Sequence, residues 1–204
     1  MPRIKLKTDD QILDAIGIFL QREGLSNFTF RKLSQEVELS EATLIQRFGS
    51  KDDLFLRLSQ RNADTIKVIF QTAAEAVDDP LGGLVAGFTT FVAGITDATA
   101  IGPNIAFLQI AMNNPRIHQA ISTSMKGLEA AINDLLQEAI ARCRLKDDTE
   151  TAVLAHRLLV VYNGTVMTWA MLGRGDLKME LSNNLYALLR PYVSNSSVGD
   201  PRTT

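Results

Sequence analysis

The sequence predicts an all-α protein, on three observations. Apolar residues recur at helical spacing along almost the whole chain. No stretch sustains the alternation of a half-buried strand. Ser, Thr or Asp stands in front of most periodic runs, where a side-chain oxygen can cap a first turn.

The elements follow in order. Thr8-Asp9-Asp10-Gln11 reads as a capping box opening a first helix, with Ile12, Ile16, Phe19 and Leu20 inward and Gly24 as its stop. Thr29 caps a short second helix that turns Phe30, Leu33 and Val37 inward. Ser40 caps a third, with Leu44 and Phe48 inward. Ser50 caps a fourth, and Asp52 and Asp53 in its first turn suit the helix dipole. It is expected to run to Ala76, before Asp78-Asp79-Pro80. Further helices are expected near 81–97, 103–112, 116–144, 149–172 and 178–190, separated by Gly102-Pro103, Asn114-Pro115 and Gly173 to Gly175. Residues 194–204 read as a disordered tail.

Composition narrows the function classes. The 204 residues are 46% hydrophobic and 22% charged, which suits a globular protein with a real core. The single cysteine, Cys143, has no internal disulfide partner, which points to a reducing cytoplasm. Asp9, Asp10 and Asp14 interrupt the place of a secretory apolar run. Between Leu81 and Pro115 Asp97 is the sole formal charge, but Gly102-Pro103 and Asn113-Asn114-Pro115 break the stretch before it could span a bilayer. A cytoplasmic protein off the membrane is expected. Net charge is −2, and the first sixty residues carry nine basic and nine acidic side chains. Binding to nucleic acid would therefore need locally placed charge.

The second and third helices, joined by the tight turn Glu38-Leu39-Ser40, have helix-turn-helix spacing. At 100° per residue, Leu44 and Phe48 fall on one side of the third helix, and Ala42 and Gln46, flanked by Thr43 and Ile45, on the other. Gln46 can pair bidentately with an adenine edge, and Ile45 or Ala42 can meet a thymine methyl. Thr29, Thr43 and Arg47 suit phosphates, and Ser40 at the start of the third helix is counted with the DNA-binding residues. Lys51, at the start of the fourth helix, suits a phosphate as well. Arg3, Lys5 and Lys7 form a basic arm of the kind that enters a minor groove. The plain alternative is a helical hairpin whose polar face is merely solvated.

Residues 9–58 resemble the DNA-binding domain of the TetR (tetracycline repressor) family. The resemblance rests on Ile12-Leu13-Asp14-Ala15, Phe19, Gly24, Thr29, Leu33 and Val37, then on the run from Ser40 to Leu54 that contains Thr43-Leu44 and Phe48-Gly49-Ser50-Lys51. Three positions depart from the family's pattern. Glu38 stands where Gly is common, in a turn whose left-handed form costs a side chain about 1 kcal/mol or more. Ala42 stands where Gly is frequent. Ile45 stands where a phosphate-touching Tyr is very common. The resemblance implies a helix-turn-helix DNA-binding domain over 1–50 and a helical effector-binding and dimerisation domain over 51–193. It implies a homodimer that binds double-stranded operator DNA, most often as a repressor released by a small ligand. The fourth helix would be the mechanical link.

The residues of the second domain allow this independently. From Leu158 to Leu172 the chain is apolar around its full circumference, so a helix there needs cover on both sides. A partner subunit is a natural cover. Phe88, Phe91, Phe107, Met112, Tyr162, Met167 and Trp169 are candidate pocket residues, with Thr89, Asn104 and Gln109 to orient a ligand. The scarcity of charge favours an apolar effector. Catalysis, a metal and a cofactor are not expected. His118 and His156 lack metal-ligand spacing, Cys143 between Arg142 and Arg144 reads as an idle thiol, and there is no phosphate-binding glycine loop. The alternative is a helical ligand-binding protein that has lost DNA binding.

Overall fold

A computed structural model describes residues 7–24 and 27–194. The helices are α1 (Asp9–Glu23), α2 (Phe30–Val37), α3 (Glu41–Phe48), α4 (Lys51–Ala76), α5 (Pro80–Phe91), α6 (Gly102–Asn113), α7 (Pro115–Ala141), α8 (Thr151–Leu172) and α9 (Leu177–Leu189). Among the described residues there is no strand, only a single bridge between Leu145 and Val193. No helix among them is long and apolar enough to cross a membrane. The basic arm at Arg3 and Lys5 and most of the expected tail lie outside the described residues. Ser194 is described, and its N–H donates to the Arg144 carbonyl at 3.0 Å.

Contacts divide the chain into two compact units, residues 1–62 with 99–122 and residues 63–98 with 123–204. Helices α4 and α7 each run from one unit into the other.

The first unit is built on an apolar core to which each short helix gives a stripe. Ile12, Ile16 and Phe19 come from α1, Leu33 and Val37 from α2, Leu44 and Phe48 from α3, and Leu54 and Phe55 from α4, all buried. Phe28 stacks edge-on to Phe19 at 5.7 Å and lies 5.2 Å from Phe55. Ala111 and Ile117, from α6 and α7, complete the cluster. Polar ties hold the same junction: Asn114 Nδ2 donates to Asp52 at 2.7 Å, and Arg116 pairs with Asp53 at 2.9 Å.

In the second unit α9 packs on α8 and α5. Leu84, Phe88, Leu154, Leu158, Leu181 and Leu185 are all buried. Helix α5 lies unusually close to α4. A Cβ on Gly87 would sit 2.6 Å from the Phe70 ring, and one on Gly83 would sit 2.8 Å from the Ala74 backbone. Asn184 ties α9 to α8 through the Thr165 hydroxyl at 3.0 Å, and the Trp169 indole donates to the Gly175 carbonyl at 3.0 Å.

Two helices end earlier than their sequence patterns suggest. Helix α5 stops at Phe91 rather than 97. Near its end Thr89 and Thr90 both donate their hydroxyls to the Ala86 carbonyl, at 3.1 and 2.8 Å, competing with the helix ladder. Helix α7 stops at Ala141 rather than 144, closed by the Cys143 N–H on the Ile140 carbonyl and the Arg144 N–H on that of Ala139.

The caps expected at Thr8, Thr29, Ser40 and Ser50 are all made. Thr8 and Gln11 form a reciprocal box, and Thr29, Ser40 and Ser50 accept from the N–H groups of Lys32, Thr43 and Asp53. Glu38 takes the left-handed conformation, φ 55 and ψ 38, that lets α2 stop and α3 start within three residues. A side chain there costs about 1–2 kcal/mol, against the extra unfolded-state freedom of glycine, about 0.5–1 kcal/mol. Glu38→Gly is therefore expected to stabilise the protein by about 0.5–1 kcal/mol. The check is a thermal midpoint, which should rise by a few degrees; an unchanged or lower midpoint would mean that the Glu38 side chain contributes more than the strain costs.

Candidate nucleic-acid interface

Helix α3 has only eight residues, so its pose is set by what it rests on. Leu44 and Phe48 anchor its inner side, 0% and 2% exposed. The opposite side carries Ala42, Ile45 and Gln46, all exposed. The face read from the helical projection is therefore the face the structure leaves open. Ile45, an isoleucine nearly half exposed at 48%, offers a methyl-bearing surface and no hydrogen bond.

The remaining predicted DNA-binding side chains divide into two groups. Thr29 and Ser40 are exposed caps, and Ser40 shares a 2.7 Å hydroxyl contact with Thr43. As acceptors toward the backbone, the cap oxygens still leave hydroxyl protons to donate. Arg47 and Lys51 are engaged within the protein. Arg47 Nε donates to Asp9 at 2.8 Å, its Nη2 pairs with the same carboxylate, and its Nη1 donates to the Lys7 carbonyl at 2.8 Å. Lys51 Nζ donates to the Phe28 carbonyl at 3.3 Å and lies over the rings of Phe28 and Phe55 at 5.4 and 5.6 Å. One of its three donors is thereby used.

At the start of α4, Asp53 accepts from both the hydroxyl and the N–H of Ser50, at 2.7 and 3.1 Å. Those bonds, with Arg116 beside it, hold its carboxyl below its ordinary value. The sequence reading left Arg31 and Lys32 without a role. Both are exposed in the first turn of α2, beside Thr29, where their sign was the one available signal. In the sequence Asp9 stands out only as part of the Thr8 to Gln11 capping box and as a charge that interrupts an apolar run. Its arginine partners lie 38 and 48 positions away, beyond any local pattern.

Of the pocket residues read from the sequence, the structure brings Phe88, Phe91 and Tyr162 together in the second unit. Phe88 and Phe91 lie 5.5 and 6.0 Å from Tyr162, and both lie against Phe70, at 5.1 and 5.4 Å. Burial pushes the Tyr162 phenol above its ordinary value. Trp169 is buried farther along α8, and Met112 is 66% exposed in the first unit. Phe107 lies in α6, and its side chain is outside the described residues. A groove of about 430 Å³ lies instead between α5 and α9, lined among others by Val85, Thr89, Met179, Asn183 and Tyr186; of the residues expected to form or orient a pocket, Thr89 alone lines it. No group of three or more potential metal ligands occurs among the described residues.

Residues 12–58 match the family model described as bacterial regulatory proteins, tetR family. The chain is 23% identical over 188 residues to the nucleoid occlusion factor SlmA of Vibrio vulnificus (strain YJ016), covering 90% of this chain and 94% of that one. A TetR transcription regulator from Haloarcula marismortui has the same fold, with a TM-score of 0.79 at 13% identity, over 91% of this chain and 98% of that chain. So does the transcriptional regulator FadR from Bacillus subtilis, solved in complex with stearoyl-CoA, with a TM-score of 0.73 at 19% identity, over 89% and 97%. Residues 12–58 thus match the helix-turn-helix segment of the tetR family of bacterial regulatory proteins, and the chain shares its overall fold with TetR regulators.

Proposed function

We propose that the protein is a ligand-responsive repressor that binds its operator as a homodimer. The observation that carries the DNA reading is the open side of α3, with Ala42, Ile45 and Gln46 exposed between two capped helix starts. Gln46 reads a base edge, Ile45 and Ala42 meet methyl groups, and Thr29, Ser40, Thr43, Lys51, Arg31 and Lys32 lie along phosphates. An effector acts by preferring the state in which the two α3 helices do not match the operator, and lowers affinity by that preference.

The homodimer is supported by α8. Val153, Val160, Met167 and Met171 are exposed along it, Val160 by 57% and Met171 by 77%. An apolar row of that kind on a helix calls for a cover. The effector is proposed to be apolar or to carry an apolar chain. The aromatic cluster of Phe88, Phe91 and Tyr162 supports this, as does the stearoyl-CoA in the B. subtilis regulator of the same fold.

Three outcomes follow. Gln46→Ala should relax preference at one base pair per half-site, at about 1–3 kcal/mol per contact, while Lys51→Ala should weaken all sequences alike and flatten the salt dependence by about one unit of slope. The measurement is affinity against salt for a selected duplex and its single-base variants; the assignment is wrong if Gln46→Ala keeps full base preference. Val160→Glu should yield monomer or aggregate, whereas a wild-type mass matching a monomer in light scattering at micromolar concentration contradicts the dimer. In a thermal-shift panel, lipophilic compounds should stabilise the protein and Phe91→Ala should weaken the effect; stabilisation by highly charged metabolites alone sinks the apolar effector.

A further inference from the structure

We infer that Asp9 is a positioning residue for sequence discrimination, holding the recognition helix through a two-arginine fork. This rests on α3 as the reading helix. The Asp9 carboxylate sits in the first turn of α1 and takes Arg47 from the end of α3 on one oxygen. Its other oxygen takes Arg57 of α4, at 3.2 Å. Both guanidiniums also lie over the ring of Phe48, at 5.9 and 5.5 Å. Phe48 is the last residue of α3 and is buried. Arg47 further donates to the Lys7 carbonyl. One carboxylate thus joins the C-terminal turn of α3 to α1 and α4, and through Arg47 to the backbone where the basic arm begins.

A lone surface ion pair would do little. This one differs in geometry. Arg47 is 24% exposed, grips one carboxylate oxygen with two nitrogens, and donates from its third nitrogen to a backbone carbonyl. The arrangement predicts an effect opposite to simple electrostatics. Removing a negative charge near DNA strengthens binding to every sequence. Removing a positioning group loosens α3 and spoils only the contacts that need its exact pose, those to base edges.

Asp10 supplies the comparison. It is exposed at the same helix end, and its backbone carbonyl rather than its carboxylate is the acceptor for Arg61. Asp10→Asn therefore removes the same charge from the same place without touching the fork. The test uses the full chain, a duplex that the wild type selects from a random pool, and a scrambled duplex of equal length and composition. Circular dichroism checks folding. The expected result is that Asp9→Asn lowers the ratio of selected to scrambled affinity about tenfold, with scrambled binding unchanged or tighter, as losing hydrogen bonds to a charged group warrants. Asp10→Asn should leave the ratio unchanged, and Asp9→Glu should recover part of it. Should Asp9→Asn fail to fold, Arg57→Gln opens the fork on its α4 side and should lower the ratio in the same direction. Equal ratios in the Asp9 and Asp10 variants, or an undiminished ratio in the substitute, overturn the inference. A wild type that selects no duplex overturns the DNA-reading assignment itself.

Discussion

An eight-residue helix cannot hold itself in water, and α3 has eight residues. That constraint orders the rest of the first unit. Leu44 and Phe48 give α3 a floor, α2 braces it across a three-residue turn, and the Asp9 fork fixes its far end. Even the strained Glu38 belongs to this account, because a longer, relaxed turn would let α3 pivot. The core that supports it also draws on Ala111 and Ile117, so residues distant in sequence help to define a surface made of neighbours.

On the proposed function, the unit reads DNA without being basic overall. Several of its acids are answered internally: Asp14 by Arg61, Glu36 by Arg22, Asp53 by Arg116 and Asp9 by two arginines. Those pairs consume cations too, which leaves little long-range field to attract DNA. On that reading, discrimination depends more on the shape and rigidity of the α3 face than on bulk charge. Nonspecific attraction would be correspondingly weak, a useful property for a protein that must find one site among many.

Local signals were legible in the sequence, and distant ones were not. The caps at Thr8, Thr29, Ser40 and Ser50 and the inward apolar residues of α1 to α3 follow from spacing and side-chain chemistry within four residues, whereas the left-handed turn at Glu38 was suggested only by the family resemblance. The fork on Asp9 and the aromatic setting of Lys51 join positions tens of residues apart, and single-sequence periodicity carries no such information. The ends of α5 and α7 were missed for a related reason. Threonine hydroxyls compete with the ladder near the end of α5, and a left-handed Cys143 follows α7, neither with a glycine or proline immediately after the last helical residue. The groove between α5 and α9 is a product of packing, and it was not legible in composition at all.

The contact of Gly87 with the Phe70 ring makes two positions into one evolutionary unit. The space a Cβ would need at Gly87 is already filled by aromatic carbon at 2.6 Å. A larger residue at 87 overpacks the site, and a smaller one at 70 leaves a void, so each single change is penalised. A compensated pair, with bulk moved from one helix to the other, would keep the volume and escape both penalties. Among relatives that keep this close approach of α4 and α5, the two positions are bound to covary, and their joint identity records how near the helices lie.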